Sequence, residues 1–276
     1  MKKYPAIDVT GGSPYLILAA VDDFAPTAAE ERGSILRVFF STPSARNAAR
    51  SVLSARWSVT AIDVPDENWA ERSQQSLTPV TIGRLRILPR ADWPSNRGDD
   101  SATTTTDANR IDIIIQPSMG FGTGHHATTR LCLRALQEVD LTGKTVLDVG
   151  TGSGILAIAA SRLGAASALG VDNDPDALES AAGNLLLNPE ARHTAFEQAD
   201  LMTRRLPPAD IVTANLTGVL LQRAAASLLA AIGSDGTLIV SGILTEEREP
   251  VRDVFEPASV VWDMEEQGWI GMVVKR

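Results

Sequence analysis

Three glycines occupy alternate positions in a turn that joins a short apolar segment to a predicted helix: Gly150, Gly152 and Gly154. Backbone without Cβ atoms lets a ligand approach closely, and the N-terminus of the following helix offers unpaired N–H donors. A dinucleotide-binding turn needs glycine at its first, third and sixth places, and the sixth place here is Ile155. The segment from Asp148 to Gly154 has the pattern D-x-G-x-G-x-G, which weakens the dinucleotide interpretation. We predict a ligand-binding turn whose binding residues are Asp148, Gly150, Gly152 and Gly154.

An acidic side chain ends the next predicted strand. Asp172 lies 22 residues after Gly150, the span of one helix and one strand, and its carboxylate can accept hydrogen bonds from both hydroxyls of a ribose. Capping of the next helix is the alternative role, but Asp174 is better placed for it because it directly precedes Pro175. We therefore count Asp172 and its neighbour Asn173 among the predicted ligand-binding residues.

Two later strand ends carry further candidates. Asp200 follows the next predicted strand, where its side chain can meet an adenine amino group; an exposed loop aspartate is the alternative. Asn215 follows the apolar residues 211–214, and its amide oxygen can accept a hydrogen bond from an incoming amine. We predict that Asn215 and Leu216 form the catalytic loop, with a capping or turn role as the alternative. Ligands bind beyond the carboxyl ends of the strands in a doubly wound sheet, so these loops are expected to share one site.

A loop rich in glycine and threonine precedes the first predicted helix of this half of the chain. It runs from Phe121 to Thr129 and offers both flexibility and hydrogen-bond donors. Because it comes before the sheet, we predict that it folds over the ligand as a lid. This predicted lid contains Phe121, Gly122 and Thr123 at its start and Thr129 at its end.

The same region holds two adjacent histidines and the only cysteine. We predict that His126 fixes the loop by a hydrogen bond, with a role as proton acceptor as the alternative. Only His193 exists elsewhere and there is no cysteine cluster, so the sequence predicts no metal site. Cys132 lies on the apolar side of the predicted helix and is expected in the core. A single cysteine also excludes an intramolecular disulfide.

Strands and helices alternate from residue 111 to the end of the chain. This order predicts an α/β fold, a parallel doubly wound sheet with helices on both faces, completed by an antiparallel hairpin. The predicted strands are 111–116, 145–149, 167–171, 193–197, 209–214, 236–241, 259–265 and 269–274, and the predicted helices are 128–138, 154–163, 175–187 and 217–231.

Residues 1–64 are predicted to form a small α+β domain. Strand, helix, strand, helix, strand is the expected order, which suggests a ferredoxin-like arrangement. Its predicted elements are strands 15–20, 35–40 and 57–64, a helix at 44–54, and a polar, Ala/Glu-rich piece around 24–32. Residues 65–110 are a predicted linker region with a hairpin around Pro79 to Pro89, and residues 111–276 form the predicted ligand-binding domain.

Composition and charge limit the function classes. The chain has 276 residues, of which 44% are hydrophobic and 21% charged, as in ordinary soluble proteins. The net charge is −9, and residues 119–276, with 12 basic and 20 acidic side chains, account for −8 of it. A field of this sign disfavours nucleic-acid backbones and favours a basic partner, although a need for solubility alone would explain it too. No apolar run approaches about 20 residues and no signal peptide is evident, so we expect a cytoplasmic protein without membrane contact.

Four segments together are similar to a known family. MGFGTGHHATTRLCLRAL and LTGKTVLDVGTGSGILAIAASRLGA, followed by GVDNDPDAL and ANL, resemble the PrmA-type ribosomal protein methyltransferases. The resemblance covers roughly residues 65–276. It implies a class I methyltransferase fold, Rossmann-like with an antiparallel terminal strand, and an N-terminal substrate-recognition domain.

The resemblance also implies a cofactor and a reaction. The cofactor is S-adenosylmethionine, in contact with Thr129, Gly150, Asp172 and Asn215, and the substrate is a basic protein, ribosomal protein L11, methylated on lysines or on its N-terminal amine. A lysine must first lose its proton, because its ordinary pKa is about 10.4, and burial lowers that pKa. The alternatives are the same core acting on another protein lysine or a small amine, a non-catalytic binding module, and an NAD-dependent oxidoreductase.

Overall fold

The computed structural model describes residues 3–65, 78–89, 109–116 and 124–276. The chain divides into two compact units: the first contains the described residues 3–65, and the second contains the other three ranges. Each unit has hydrophobic core clusters of its own, as expected of a structure that can bury apolar surface independently.

The first unit is a four-stranded antiparallel sheet with two helices. Its elements are β1 (Lys3–Thr10), α1 (Pro14–Val21), β2 (Pro26–Arg32), β3 (Ile35–Phe40), α2 (Pro43–Leu53) and β4 (Ser58–Pro65). The strands follow the spatial order β2-β3-β1-β4, so β1 lies inside the sheet. Ile7 and Val38 of the sheet share a core with Ile17 of α1 and Leu53 of α2.

Two of the predictions for this unit are wrong. Residues 15–20, predicted as a strand, form most of α1, and the piece around 24–32, the first helix of the predicted order, contains β2. A short apolar run does not distinguish a strand from a helix, and Pro14 favours the helix because its missing N–H needs no partner in the first turn. β1 is absent from the predictions. Its Pro5, which argues against a strand, pairs only with Asp63 of β4.

The other helix and strands predicted for this unit are confirmed. Strands at 35–40 and 57–64 and a helix at 44–54 are present, each within about one residue of its predicted ends. The observed order is strand, helix, strand, strand, helix, strand. The ferredoxin-like assignment and the domain limits stay predictions.

The second unit is built on a seven-stranded sheet of order β10-β9-β8-β11-β12-β14-β13. Its strands are β8 (Thr145–Val149), β9 (Ser167–Asp172), β10 (Thr194–Gln198), β11 (Ala209–Asn215), β12 (Ile232–Leu244), β13 (Ser259–Glu266) and β14 (Trp269–Lys275). The first five in the spatial order are parallel, β14 is antiparallel to β12, and β13 is antiparallel to β14. The predicted parallel sheet with an antiparallel hairpin at its end is confirmed.

Helices cover both faces of this sheet. They are α3 (Ala127–Glu138), α4 (Ile155–Arg162), α5 (Pro175–Leu186), α6 (Gly218–Ala231) and α7 (Arg248–Asp253). In β8, Val146 packs into a core with residues of α3 and α4, whereas Leu147 packs into a second core with residues of α6 and α7. Neighbouring residues of a strand point to opposite faces, so the strand supplies both cores. The short helix α7 is absent from the predictions.

A small three-stranded sheet belongs to the same unit. β5 (Val80–Ile82) and β6 (Leu85–Leu88) form an antiparallel hairpin, and β6 pairs in parallel with β7 (Ile111–Ile114). The predicted strand at 111–116 is therefore present, but it pairs with this hairpin and not with the main sheet. Its apolar residues indicate a buried strand without specifying its partner.

Candidate functional site

Three strand ends meet where the strand order of the main sheet reverses. The last residue of β8 lies opposite Val171 of β9 on one side and Ala214 of β11 on the other. Gly150, Asp172 and Asn215 each follow directly after one of these paired residues. Such a reversal is where ligands bind in open α/β sheets. The structure thus brings these three predicted residues together at one edge of the sheet.

The loop after β8 has glycine at three positions of positive φ. The φ angles are 71° at Gly150, 52° at Gly152 and 80° at Gly154, a region that side chains with a Cβ atom rarely adopt. The N–H groups of Gly150 and Thr151 both donate to the carbonyl of Val171, at 2.9 and 3.0 Å. The loop is therefore fastened to the end of β9 before α4 begins.

Gly154 is required by packing as well as by its φ. A Cβ atom there would lie 2.7 Å from Cζ of Phe196 and 3.0 Å from Cβ of Ala181. Gly170 of β9 leaves room for the same ring, because a Cβ atom there would lie 2.6 Å from Cδ1 of Phe196. The third glycine of the motif therefore serves the close packing of α4 against the sheet.

We expect Gly154→Ala to lower the free energy of unfolding by about 3 kcal/mol, combining the strain of positive φ with overpacking against Phe196. Gly143→Ala is the matched control: Gly143 also has a φ of 71°, but nothing lies within 4 Å of an added Cβ atom. Strain alone should cost the control about 1 kcal/mol. Urea unfolding followed by tryptophan fluorescence measures both variants. Equal losses would contradict the packing role of Gly154.

Asp172 ends β9 and supports the glycine loop. Its Oδ2 accepts a hydrogen bond from the N–H of Gly152 at 2.9 Å, and its Oδ1 accepts one from the N–H of Asp174 at 3.1 Å. An ionised carboxylate has about four acceptor sites, so further sites remain for ligand hydroxyls. Asp174 caps α5, because its side chain accepts the N–H of Asp176 at 2.9 Å. The capping role thus belongs to Asp174, as predicted.

Asp148 lies beneath the loop and is 1% exposed. Its Oδ2 accepts the hydroxyl of Thr151 and its Oδ1 accepts the hydroxyl of Thr213, both at 2.6 Å. Thr151 belongs to the glycine loop and Thr213 lies two residues before Asn215, so one carboxylate braces both sides of the site. These contacts support a bracing role for Asp148. Its predicted contact with the ligand stays a prediction.

Burial raises the pKa of Asp148 from 3.8 to about 6, with a smaller contribution from the charge of Asp172. The folded protein holds this proton more tightly than the unfolded chain. The contribution of Asp148 to the free energy of unfolding is therefore greatest below pH 4, falls as the pH rises to about 6, and stays level above that.

Asp148→Asn removes this titration. We expect the unfolding free energy of the variant, relative to wild type, to rise by about 2 kcal/mol between about pH 4.5 and about pH 7.5. Urea unfolding of both proteins at the two pH values checks this. A difference between the proteins that does not change with pH would show that Asp148 does not titrate in this range.

The last residue of β11 contacts the first turn of α3. Nδ2 of Asn215 donates to Oγ1 of Thr129 at 3.5 Å, and Thr129 is only 2% exposed. Leu216 is held by its main chain: its N–H donates to the carbonyl of Ser241 at 3.0 Å, and a Cβ atom at Gly242 would clash with its carbonyl. The structure therefore brings the predicted pair Thr129 and Asn215 together and fixes Leu216 beside them.

Leu216 also approaches the glycine loop. A Cβ atom at Gly150 would lie 2.5 Å from Cδ2 of Leu216, so the loops after β8 and β11 form adjacent walls. Capping of α6 is performed by Thr217, whose hydroxyl accepts the N–H of Leu220 at 3.4 Å. The capping alternative for this loop therefore applies to Thr217, whereas the side chain of Asn215 contacts Thr129.

His126 caps the N-terminus of α3. Its Nδ1 lies 2.8 Å from the hydroxyl of Thr128 and accepts the N–H of the same residue at 3.4 Å. Its ring meets the ring of Trp269 edge-on at 5.1 Å. Burial, followed by the charge of Arg130, lowers the pKa of His126, so the neutral ring is favoured at pH 7. These contacts support the predicted loop-fixing role over that of a proton acceptor.

Arg130 ties the start of α3 to the C-terminal hairpin. Its Nε donates to Glu266 at 2.6 Å, its Nη2 donates to the side chain of Gln267 at 3.0 Å, and its Nη1 donates to the carbonyl of His125. The bond to Glu266 pairs opposite charges on two side chains that are mostly buried. Charge-assisted bonds of this kind are the stronger ones, so the position of the neighbouring Thr129 is well fixed.

The other predicted ligand residues are exposed or not described. Asp200 is exposed, and its oxygens accept the N–H of Met202 at 2.8 Å and the hydroxyl of Thr203 at 3.1 Å, which fits the alternative of a loop aspartate. Asn173 is exposed at the same edge. Three predicted lid residues lie outside the described residues: Phe121, Gly122 and Thr123. Their role stays a prediction.

Cys132 is fully buried, and burial raises the pKa of its thiol, so the predicted place in the core is confirmed. Within the described ranges, no three His, Cys, Asp or Glu side chains gather as metal ligands would. Across the same part of the chain, no helix combines the length and the apolar character needed to cross a membrane.

Two supporting residues are absent from the predictions. They are Thr213, which donates to Asp148, and Asn184 of α5, whose Nδ2 donates to the carbonyl of Ser153 in the glycine loop at 2.9 Å. A signal for Asn184 exists in the sequence. Asparagine is a poor residue for a helix interior unless its side chain finds partners, and a second asparagine follows four residues later at Asn188.

Comparison with known proteins gives consistent results. The family model described as ribosomal protein L11 methyltransferase (PrmA) matches residues 35–276. A ribosomal protein L11 methyltransferase from Deinococcus radiodurans is 37% identical over 235 residues, which are 83% of this chain and 80% of that protein. One from Pelotomaculum thermopropionicum is 36% identical over 221 residues, covering 79% and 68%. The crystal structure of a ribosomal protein L11 methylase from Lactobacillus delbrueckii subsp. bulgaricus matches with a TM-score of 0.64 and 27% identity, over 72% of this chain and 99% of that one.

Proposed function

Since the chain belongs to the ribosomal protein L11 methyltransferase (PrmA) family, we propose that it methylates amine nitrogens of ribosomal protein L11, on lysine side chains, at the N-terminus or on both. It is an S-adenosylmethionine-dependent methyltransferase with the class I fold. The proposal rests on one juxtaposition: the Asp172-supported glycine loop and the Asn215–Thr129 pair lie at the same switch point of the sheet.

The residues at this switch point suit S-adenosylmethionine. Asp172 keeps acceptor sites for ribose hydroxyls, and Ile155 stands where a dinucleotide-binding turn needs its third glycine. Thr129, Gly150, Asp172 and Asn215 are the residues that we propose hold the cofactor. When bound, the cofactor supplies an electrophilic methyl group on its sulfonium.

Asn215 is the residue that we propose orients the acceptor amine. Its Nδ2 is used by Thr129, so Oδ1 is available to accept a hydrogen bond from the amine. A lysine reacts only as the neutral amine, and burial beside this loop would lower its pKa toward neutrality. A dedicated base is then not required, and positioning supplies most of the rate increase.

The acceptor that we propose is a basic protein. Residues 119–276 carry a net charge of −8, which attracts a basic partner and repels a nucleic-acid backbone. We assign recognition of the protein substrate to residues 1–64, and we propose that the enzyme works in the cytoplasm without direct contact with nucleic acid or membrane.

Intact-mass analysis of purified L11, incubated with the enzyme and S-adenosylmethionine, tests the proposal. We expect gains in steps of about 14 Da, one for each hydrogen replaced by a methyl group, and fragmentation should place them on lysines or on the N-terminal amine. If L11 stays unmodified while calorimetry shows that the enzyme binds the cofactor, L11 is not the substrate, and the acceptor is another amine.

Methylation of a different protein lysine or a small amine by the same core is the second candidate. Removal of residues 1–64 discriminates between the two, with calorimetry confirming that the shortened protein still binds the cofactor. Loss of protein methylation in that variant supports a protein substrate held by the first unit. Unchanged methylation would place substrate recognition in the second unit.

A further inference from the structure

Two buried asparagines on and just after α5 lie outside the residues assigned to binding or reaction. Asn184 is 2% exposed and Asn188 is 1% exposed. A carboxamide in an apolar environment costs free energy unless its polar atoms find partners, and asparagine is also unfavourable within a helix. The hydrogen bonds of each carboxamide therefore have to offset the cost of burying it.

Asn188 binds β7 and the last turn of α5. Its Oδ1 accepts the N–H of Ile114 at 2.9 Å, and its Nδ2 donates to the carbonyl of Ile114 at 2.7 Å. Nδ2 also donates to the carbonyl of Asn184 at 2.7 Å. One carboxamide thus pairs with both the N–H and the carbonyl of Ile114, as a neighbouring strand would. The hydrogen bonds of Asn188 do not reach the glycine loop.

Asn184 joins the chain after β7 to the glycine loop. Its Oδ1 accepts the N–H of Gln116 at 2.9 Å, and its Nδ2 donates to the carbonyl of Ser153 at 2.9 Å. The spacing is favourable, because four residues of a helix rise about 6 Å and two residues of a strand advance about 6.7 Å. Side chains four residues apart, one on α5 and one just after its end, therefore reach residues two apart in the extended chain.

Ser153 lies in the middle of the glycine loop and is buried. It is 2% exposed and lies between Gly152, whose N–H donates to Asp172, and Gly154, which precedes α4. A shift of the Ser153 carbonyl would rotate the adjoining peptide units. Asn184 thus holds the carbonyl of Ser153, one residue after the N–H of Gly152 that Asp172 holds.

We infer that Asn184 is a positioning residue for the cofactor-binding loop, acting through the carbonyl of Ser153. This inference rests on the proposed function only for the identity of the bound cofactor. Asn188 provides the matched comparison, since it has the same side chain and nearly the same burial. It also bonds to the same segment, at Ile114 where Asn184 bonds to Gln116, but it does not bond to the glycine loop.

Hydrogen exchange of the full-length, cofactor-free protein measures the loop directly. In Asn184→Ala we expect amide exchange in a peptide spanning residues 148–156 to accelerate about 10-fold, because the loop opens more often. In Asn188→Ala we expect a change below about twofold in that peptide, with faster exchange confined to β7. Equal exchange in the loop of Asn184→Ala and wild type would overturn the inference, whatever the enzyme binds.

Calorimetric titration with S-adenosylhomocysteine gives the second measurement. We expect about 10-fold weaker binding in Asn184→Ala and a change below about twofold in Asn188→Ala. Comparable weakening in both variants would indicate general loosening of α5 and would also overturn the inference. Wild type that does not bind would refute the proposed cofactor site while leaving the exchange result to decide the role of Asn184.

Asn184→Asp keeps the test decisive if the alanine variant fails to fold. The aspartate has nearly the same shape and retains the acceptor for the N–H of Gln116, but its ionised carboxylate cannot donate to the carbonyl of Ser153. Because burial raises the pKa of a carboxyl group, exchange of this variant and of wild type is compared at about pH 9. We expect the same 10-fold acceleration in the loop peptide. A loop that exchanges as in wild type would overturn the inference.

Discussion

Asp172→Ala is expected to weaken the binding of S-adenosylhomocysteine by about 100-fold, or about 2.7 kcal/mol. The substitution removes the proposed acceptor for the ribose hydroxyls and also the acceptor for the N–H of Gly152, so the loop loses its support on that side. Hydrogen bonds to a charged group contribute about 1.5–3 kcal/mol each. Isothermal titration calorimetry of the purified variant measures the loss.

Asp174→Ala is the control for this prediction. It removes the same charge two residues away from Asp172. It also removes one hydrogen bond to the backbone, the cap of α5, but none of the hydrogen bonds to the glycine loop. We expect a loss of about 1 kcal/mol in stability and a change below about threefold in affinity. Affinity that survives Asp172→Ala, or falls equally in both variants, would remove Asp172 from the binding site.

The second large effect is expected at Asn215. Asn215→Ala should lower kcat for methylation of the protein substrate by about 100-fold, because the acceptor amine loses the oxygen that orients it. Affinity for S-adenosylhomocysteine should change less than about fivefold, since Asp172 and the glycine loop remain intact. Single-turnover methylation and calorimetry separate the two quantities.

Two further variants test how Asn215 is held. Thr129→Val removes the hydroxyl that receives Nδ2 of Asn215 and should lower kcat by about 5-fold to 10-fold through misorientation. Thr217→Ala removes only the cap of α6 and should cost about 1 kcal/mol of stability with kcat within about threefold of wild type. A kcat for Asn215→Ala equal to that of Thr217→Ala would refute the orienting role.

The sequence alone determined the doubly wound sheet and the place of its site. Alternating strands and helices can bury their apolar faces in few ways, and the carboxyl ends of parallel strands necessarily share one edge. Gly150, Asp172 and Asn215 could therefore be placed together from their positions after predicted strands. The left-handed turns at the glycines were equally open to prediction, since the residue type itself permits them.

The hydrophobic pattern of a short segment did not determine its structure where a helix and a strand would bury the same residues. Residues 15–20 are apolar enough for either a strand or a helix, and the surrounding unit decided for the helix. β7 has the composition of a buried strand, but its partner is β6 and not the main sheet. Neither choice is encoded by hydrophobic period alone, because the period of a short apolar run is undefined.

Only the tertiary structure decided how the site is supported. Asp148 belongs to the recognisable motif, but its partner Thr213 lies 65 residues later in the chain. Asn184 reaches Ser153 across 31 residues, and Gly154 must be small because Phe196 of a distant strand packs against it. Burial and hydrogen-bond partners are properties of the assembled sheet and helices. A motif can identify the residues expected to bind a ligand. The residues that support them are identified only once the fold shows which side chains lie next to the binding residues.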